Sequence, residues 1–248
     1  MSDIKPRQTA FSFGTEPEMS RNDFMVSNCN REAFFVIESW PNWVANGAVL
    51  YGPKGCGKTH LAHLFSEKIN QMSLKPFKIP FYECKQVNMK NVGRICSSSD
   101  IIIMENLNNQ VNQEALFHLF NHFNEEGKYM LWTAEIPPAR MSFSLKDFGS
   151  RINMLPAIEI KEPDDMMLRA LVVKLFNDRQ MTINPDILEY IINNTERSFA
   201  YVESLVREID EISLAYKTAV NYKVVKEALE NLNNANEREP DLFSDSER

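Results

Sequence analysis

Residues 52–59 read Gly-Pro-Lys-Gly-Cys-Gly-Lys-Thr and directly follow residues 48–51, the apolar run Ala-Val-Leu-Tyr. The spacing matches G-x-x-x-x-G-K-[ST], a loop between a strand and a helix whose backbone N–H groups surround phosphate oxygens. We expect Lys58 to supply positive charge to the β- and γ-phosphates of a nucleotide, and the Thr59 hydroxyl to bind Mg²⁺. A helix over 60–71 should follow and direct its positive N-terminal end at the phosphates. The stretch therefore predicts a fold that binds nucleoside triphosphates.

Contacts to the nucleotide are expected from the whole loop and from the residue after it. Cys56 lies near the N-terminus of the predicted helix, a position that can lower the pKa of a thiol. This predicts a chemically sensitive cysteine, although no redox function follows from it. The residues predicted to bind the nucleotide here are Gly52, Pro53, Lys54, Gly55, Cys56, Gly57, Lys58, Thr59 and His60.

The composition indicates a globular protein without a membrane segment. Its 248 residues suffice for one large α/β domain and a smaller one, and hydrophobic and charged contents of 44% and 25% are ordinary. The net charge of −7 argues against a general electrostatic footprint for duplex DNA. The four cysteines show no C-x-x-C spacing, so neither a disulfide framework nor a zinc site is indicated. No run reaches ~18 apolar residues, and we expect a cytoplasmic location.

Apolar and helical periodicities divide the chain into four parts. We expect a flexible tail over 1–20, a nucleotide-binding base over 21–161, a small all-helical lid over 162–233 and a disordered acidic tail over 234–248. Short apolar strands alternate with helices in the base, which predicts an α/β fold with a parallel sheet in three layers. The further strands are predicted at 77–82, 101–104, 129–133 and 157–160. Helices are predicted at 113–126 in the base and at 164–177, 186–193, 198–216 and 223–232 in the lid.

A second nucleotide signature reads Asp100-Ile-Ile-Ile-Met-Glu105-Asn106. An apolar strand that ends in an acid places its carboxylate opposite the phosphate loop, where Glu105 would hold Mg²⁺ through water. Active ATPases usually carry a second acid next to the first, and that second carboxylate polarises the attacking water. Asn106 stands there instead and cannot act as a base, which predicts weak intrinsic ATPase activity. The alternative is a plain buried strand with a solvent-facing glutamate at its end.

The order of these motifs resembles one family, the AAA+ ATPases of the replication-initiator clade, with the ATPase core of the bacterial initiator DnaA and its short regulatory homologue Hda. The resemblance covers roughly residues 20–233 and implies an AAA+ P-loop domain followed by a helical lid. The initiator would continue into a helix-turn-helix domain, and we expect that duplex-binding module to be missing here. The stretches that carry the resemblance are V-S-N-C-N-R-E-A (26–33), Y-G-P-K-G-C-G-K-T-H-L-A-H (51–63), I-I-I-M-E-N-L (101–107), L-W-T-A-E-I-P-P (131–138), F-G-S-R-I (148–152) and E-R-S-F (196–199).

The resemblance implies roles for four residues outside the phosphate loop. Asn30 falls in the segment that lines the adenine and ribose pocket, and Thr133 at the sensor 1 position near the γ-phosphate. Arg197 resembles the lid arginine called sensor 2, which reaches the phosphates of the bound nucleotide. Arg151 occupies the position of the arginine finger, which enters a neighbour's active site and stabilises transition-state charge there. The alternatives are a strand residue satisfied by backbone for Thr133, a surface arginine for Arg197 and a base-to-lid ion pair for Arg151.

The N-terminal tail resembles a peptide that binds the sliding clamp, the β subunit of DNA polymerase III. Gln8 would fill a polar pocket, while Phe11 and Phe13 would enter an apolar groove. Aromatic residues stand here in place of the usual leucine. Residues 239–243 in the C-terminal tail, Glu-Pro-Asp-Leu-Phe, are a second candidate that lacks the glutamine.

The function implied by the resemblance is regulation of DNA replication initiation. The protein would bind an adenine nucleotide, ADP or ATP with ADP favoured, together with Mg²⁺. It would join the DNA-loaded sliding clamp and present Arg151 to ATP-bound DnaA, which would then hydrolyse its own ATP; a second copy of the chain is a further candidate partner. One alternative is an ATP-driven helicase loader or initiator-like assembly factor that binds single-stranded DNA. Another is a structural adaptor whose nucleotide only holds base and lid together.

Overall fold

Five parallel strands form the centre of the molecule in the computed structural model, which describes residues 24–72 and 79–238. They hydrogen-bond in the order β2-β3-β4-β1-β5, and every neighbouring pair is parallel. Parallel neighbours need crossover connections, which the intervening helices provide. The predicted α/β fold with a parallel sheet is confirmed. The strands are β1 (Gly47–Tyr51), β2 (Phe81–Glu83), β3 (Ile101–Leu107), β4 (Tyr129–Ala134) and β5 (Ala157–Glu159).

Helices cover both faces of this sheet. Alternate residues of a strand point to opposite faces. Ala48 and Leu50 of β1 belong to an apolar core shared with α1 and α2, whereas Val49 belongs to the core shared with α3, α4 and α5. The sheet is therefore the middle of three layers, as predicted. The helices of the outer layers are α1 (Arg31–Ser39), α2 (Lys58–Met72), α3 (Val92–Cys96), α4 (Gln113–Glu125) and α5 (Lys146–Asn153).

The bounds of two strands differ from prediction in ways that matter for the site. β3 continues to Leu107, beyond the predicted end at residue 104, so Glu105 and Asn106 lie within the sheet. β2 begins only at Phe81, and residues 77–78 of its predicted range lie outside the described residues. The apolar pattern ends at residue 104, whereas Glu105 still pairs with β2 and Leu107 with β4.

Four further helices follow the sheet and bury an apolar core of their own. Side chains of Asp164, Asn184 and Ser198 accept hydrogen bonds from backbone N–H groups at the starts of α6, α7 and α8, which is the usual way to cap a helix. Residues 234–238, predicted to be disordered, belong to α9. In the described part of the chain, no helix has the length and apolar character needed to cross a bilayer. These helices are α6 (Asp165–Asp178), α7 (Pro185–Asn194), α8 (Phe199–Tyr216) and α9 (Tyr222–Arg238).

Candidate nucleotide-binding site

The phosphate loop leaves β1 at the carboxyl edge of the sheet, where ligands of open α/β sheets bind. Gly55 and Gly57 have positive φ angles of 76° and 97°. Left-handed residues of this kind let successive backbone N–H groups converge into an anion-binding concavity. A Cβ atom at position 52 would lie 2.0 Å from the carbonyl oxygen of Ile160, so only glycine fits there. The loop has the backbone shape that a phosphate group requires.

The Lys58 ammonium lies inside this loop. Its Nζ donates hydrogen bonds to the carbonyl oxygens of Gly52 and Pro53, both at 2.8 Å, and the residue is only 8% exposed. These acceptors are neutral, so the positive charge remains available to an anion. Lys58 is also the first residue of α2, whose N-terminus adds the positive end of the helix dipole. Both features favour phosphate binding at the loop.

The side chains of Thr59 and Glu105 are hydrogen-bonded to each other at the carboxyl edge of the sheet. The Thr59 hydroxyl donates to Oε1 of Glu105 at 2.8 Å, which joins the first turn of α2 to β3. Mg²⁺ in nucleotide sites is usually held by a hydroxyl and a carboxylate together with phosphate oxygens and water. The pair fits such an ion, with the remaining ligands supplied by a nucleotide. Nowhere in residues 24–72 or 79–238 do three or more His, Cys, Asp or Glu side chains group so as to hold a metal ion.

A β-bulge places Asn106 against Thr133. The pairing of β3 with β4 breaks after Met104 and resumes at Leu107. Two residues of β3, Glu105 and Asn106, therefore lie opposite Thr133 alone, and such a bulge re-aims side chains. Asn106 has a φ of 60°, and its backbone N–H donates to Oγ1 of Thr133 at 3.1 Å. The predicted sensor hydroxyl is thus buried and accepts a hydrogen bond from the backbone of the acid strand.

A carboxylate that the sequence analysis did not single out lies beside Asn106. The Nδ2 of Asn106 donates to both carboxylate oxygens of Glu83, each at 3.0 Å. Glu83 is the last residue of β2 and pairs in register with Glu105. No motif marks it, because its place follows from the pairing of β2 with β3. A survey of polar residues at the ends of all predicted strands would have found it.

Arg197 lies beside the phosphate loop at the rim of a cavity of about 470 Å³. Its Nη2 is 2.7 Å from Oδ1 of Asp165, and the two side chains are 55% and 48% exposed. The structure thus brings Arg197 close to the phosphate loop and pairs one of its terminal nitrogens with an acid. The residues that line this cavity are Pro53, Glu159, Ile160, Lys161, Glu162, Pro163, Asp164 and Arg197.

The helical region also contacts the loop directly, which the sequence analysis missed. The Phe199 N–H donates to the carbonyl oxygen of Gly55 at 3.0 Å. A Cβ atom at position 55 would lie 2.1 Å from Oγ of Ser198, the residue that caps α8. Glycine at this position is therefore required twice, for the left-handed turn and for the close packing of α8 on the loop.

Asn30, assigned to the adenine pocket, is buried and uses its amide locally. Its Oδ1 accepts from the Ser27 N–H at 2.8 Å, and its Nδ2 donates to the Met25 carbonyl at 2.9 Å. The turn made in this way is tied to the cavity, because the N–H of Lys161 donates to the carbonyl of Cys29. Asn30 therefore holds the turn that contacts Lys161, a residue of the cavity lining, while its own polar atoms already have partners.

The remaining loop residues differ in exposure. Lys54 and Thr59 are exposed, and the ring of His60 packs edge-on against Phe24 with ring centroids 5.1 Å apart. Cys56 is only 2% exposed, and burial raises the pKa of its thiol although the nearby Lys58 charge acts to lower it. The thiol pKa is therefore raised and not lowered as its place near the helix N-terminus suggests, since desolvation of the thiolate outweighs the favourable charges around it.

Arg151 lies at the opposite, amino edge of the sheet. It is exposed on α5 and lines a small cavity with Asn46, which precedes β1, and with Met130 near the start of β4. No ion pair or side-chain hydrogen bond of Arg151 is formed within the described residues. β1 alone spans roughly 16 Å at 3.3 Å per residue, a distance longer than an arginine side chain. Arg151 therefore cannot reach the phosphate loop of its own chain.

The residues predicted to bind the sliding clamp, Gln8, Phe11 and Phe13, lie outside the described residues, as do residues 239–243. Both tail assignments stay predictions from sequence.

The sequence comparisons point to one group of proteins. The family model described as "Bacterial DnaA ATPAse domain" matches residues 16–155, which are 140 of the 248 residues. The chromosomal replication initiator protein DnaA of Clavibacter sepedonicus is 22% identical over 233 residues, covering 87% of this chain and 49% of that protein. The chain spans about half the length of the curated relatives it matches.

Solved structures show the same architecture. Domain III of the Thermotoga maritima replication initiation protein DnaA has a TM-score of 0.72 at 18% identity, covering 87% of this chain and 97% of that domain. A replication initiator DnaA bound to AMPPCP and single-stranded DNA has a TM-score of 0.65 at 16% identity, covering 86% of this chain and 80% of that one. At sequence identities of 16–18%, these similarities show that the fold is shared and no more. Since the family model matches more than half of its residues, the chain belongs to the bacterial DnaA ATPase domain family.

Proposed function

We propose that this protein binds an adenine nucleotide and regulates DNA replication initiation by inserting Arg151 into the active site of ATP-bound DnaA. The observation that carries the proposal is the position of Arg151, exposed at the sheet edge opposite its own phosphate loop. An arginine in that position cannot serve the nucleotide of its own chain. Arginine fingers supplied from a neighbouring protein raise phosphoryl-transfer rates by roughly 10³–10⁵.

The nucleotide site supports the first half of the proposal. Lys58 and the N-terminus of α2 would hold the phosphates, and Thr59 with Glu105 would hold Mg²⁺, which neutralises phosphate charge when bound. Arg197 would exchange Asp165 for a phosphate oxygen. An adenine base is supported by family membership and by the related DnaA structure bound to AMPPCP. Asn106 beside Glu105 supports slow turnover by this chain itself.

We further propose that the N-terminal tail joins the sliding clamp, the β subunit of DNA polymerase III, through Gln8, Phe11 and Phe13. This step would place the protein on DNA without a duplex-binding surface of its own. It rests on the sequence pattern and on the net charge of −7, which disfavours direct binding to duplex DNA.

The test is hydrolysis of DnaA-bound ATP, reconstituted with this protein and DNA-loaded clamp and repeated with each component omitted. We expect hydrolysis to need all three components and to be lost when residues 1–14 are removed. Stimulation that persists without the clamp would contradict the tail assignment. The rival function, a helicase loader or initiator-like factor, requires turnover by this chain alone that single-stranded DNA accelerates.

A further inference from the structure

We propose that Glu83 supplies the carboxylate that Asn106 lacks, and accepts the proton of the water that attacks ATP in this protein's own slow hydrolysis. The inference rests on the proposed nucleotide site and deepens it by naming a catalytic residue on a different strand. The starting observation is the contact between the Asn106 amide and both oxygens of Glu83 at 3.0 Å.

Strand pairing brings Glu83 to the acid end of β3. Phe81, Tyr82 and Glu83 of β2 pair in register with Ile103, Met104 and Glu105 of β3. Paired residues on neighbouring parallel strands lie about 4.8 Å apart and project to the same face of the sheet. The carboxylates of Glu83 and Glu105 are therefore neighbours on one face, at the carboxyl edge where the phosphate loop also lies. Glu105 in turn accepts from Thr59 of that loop.

The bulge in β3 turns the Asn106 side chain toward Glu83. In a regular strand, consecutive residues such as Glu105 and Asn106 would point to opposite faces. Here Asn106 has a left-handed φ of 60°, and its backbone N–H is held by the Thr133 hydroxyl. Its amide consequently reaches sideways to the neighbouring strand. Asn106 stands at the position where active ATPases usually carry a second acid. Through its amide it holds the carboxylate of Glu83 at that place instead.

The Glu83 carboxylate has a neutral hydrogen-bond partner and is partly open to water. Its partner at this end is the neutral Asn106 amide, and within the described chain no lysine, arginine or histidine forms an ion pair with Glu83. Each carboxylate oxygen has two lone pairs, so one hydrogen bond per oxygen leaves room for water. Glu83 is half-buried and Asn106 is exposed, which gives water access to both side chains.

The chemical step is ordinary hydrolysis. The water oxygen forms a bond to the γ-phosphorus, and the bond from that phosphorus to the β,γ-bridging oxygen breaks with its electron pair leaving on ADP. The proton lost by the water passes to Glu83, directly or through one further water. Asn106 holds the carboxylate in place and takes no proton itself.

The experiment compares full-length wild type with Glu83→Gln and with the exchanged pair Glu83→Asn plus Asn106→Glu. AMPPCP affinity is measured by calorimetry, and hydrolysis is measured in single turnover with protein in excess over ATP. We expect Glu83→Gln to bind AMPPCP within about twofold of wild type and to hydrolyse ATP at least ~100-fold more slowly, the usual loss for a general base. The exchanged pair should recover to within about tenfold of wild type. Glu135→Gln, at an exposed glutamate directly after β4, is the matched control and should hydrolyse ATP normally.

The results separate the catalytic role of Glu83 from the nucleotide site on which it rests. If the Glu83→Gln variant binds AMPPCP and hydrolyses ATP at the wild-type rate, the role of Glu83 is overturned and the proposed nucleotide site is not. The role of Glu83 is also overturned if the wild-type protein binds AMPPCP but shows no hydrolysis of ATP in single turnover. A wild-type protein that does not bind AMPPCP would overturn the nucleotide site itself. An exchanged pair as inactive as Glu83→Gln, yet folded and binding AMPPCP, would also contradict the inference.

Discussion

The phosphate-loop residues at the carboxyl edge of the sheet and Arg151 at the amino edge differ in the partners of their side chains. At the carboxyl edge the Lys58 ammonium, the Thr59 hydroxyl and the Asn106 amide each have partners within the chain. At the amino edge Arg151 has no such partner in the described residues and lies beside Met154, which is 73% exposed. The side chains at the first edge are held by contacts within the chain itself. In the proposed function, Arg151 would form half of a site that another protein completes.

The largest expected effect tests the amino edge. Arg151→Ala should abolish stimulated hydrolysis on DnaA at a cost of about 4–7 kcal/mol in the barrier, from the 10³–10⁵ range for arginine fingers. Because Arg151 has no ion pair to lose within the described chain, melting temperature and nucleotide affinity should stay unchanged. Both quantities and the stimulated rate are measured on the same preparation.

Two further variants sharpen that experiment. Arg151→Lys should fail nearly as badly, because lysine lacks the planar fork that spans two oxygens. Arg94→Ala, at another exposed arginine on α3, should keep full stimulation. A lowered melting temperature with stimulation preserved would show that Arg151 is a structural residue and would remove the contrast between the edges.

The next largest effect concerns stability and tests the close packing of α8 on the phosphate loop. Gly55→Ala should lower the free energy of unfolding by about 2–4 kcal/mol, since it combines a left-handed φ with a Cβ atom 2.1 Å from Ser198 Oγ. Gly127→Ala has a similar φ of 66° but no atom near its Cβ, and should cost only about 1–2 kcal/mol. Gly93→Ala, in a helix and in open space, should gain about 0.5–1 kcal/mol. Urea denaturation measures all three; equal losses at 55 and 127 would argue against the contact between α8 and the loop.

A smaller loss of stability is expected when the hydrogen bond that holds the β3 bulge is removed. Thr133→Val keeps the shape of the side chain but removes the oxygen that accepts the Asn106 N–H. The free energy of unfolding should fall by about 1–2 kcal/mol, the lower part of the range for a lost hydrogen-bond partner, because Asn106 is exposed to water. Denaturant titration measures this, and Thr195→Val in the helical region is a reference for the substitution itself. Unchanged stability would mean that Thr133 does not hold the bulge.

The smallest expected effect concerns Arg197. Its ion pair with Asp165 is about half exposed on both sides, so Asp165→Asn should change the free energy of unfolding by less than about 1 kcal/mol. If Arg197 contacts a bound phosphate, freeing it from Asp165 should slightly strengthen AMPPCP binding, whereas Arg197→Ala should weaken it. Calorimetry on both variants decides the matter. Affinities that do not move in opposite directions would leave Arg197 as a surface residue.

The parts of the site that sequence could predict are local ones. The loop over 52–59 and the helix after it are encoded by adjacent residues, so the pattern alone locates them. Glu83 and the contact of Ser198 with Gly55 depend on which strands and helices become neighbours, which no short pattern records. The pKa of Cys56 was misjudged for the same reason, because burial comes from the whole fold and outweighs the local charge.

The hydrogen bond from Phe199 to Gly55 has a consequence for measurements on the unmodified protein. The first N–H groups of a helix have no acceptor within that helix, and Phe199 is the first residue of α8. Protection of its amide from deuterium exchange therefore reports contact with the loop and not the formation of α8. The protection of this one amide gives the free energy of opening its contact with the loop, and the change in protection on addition of AMPPCP gives the coupling between that opening and nucleotide binding.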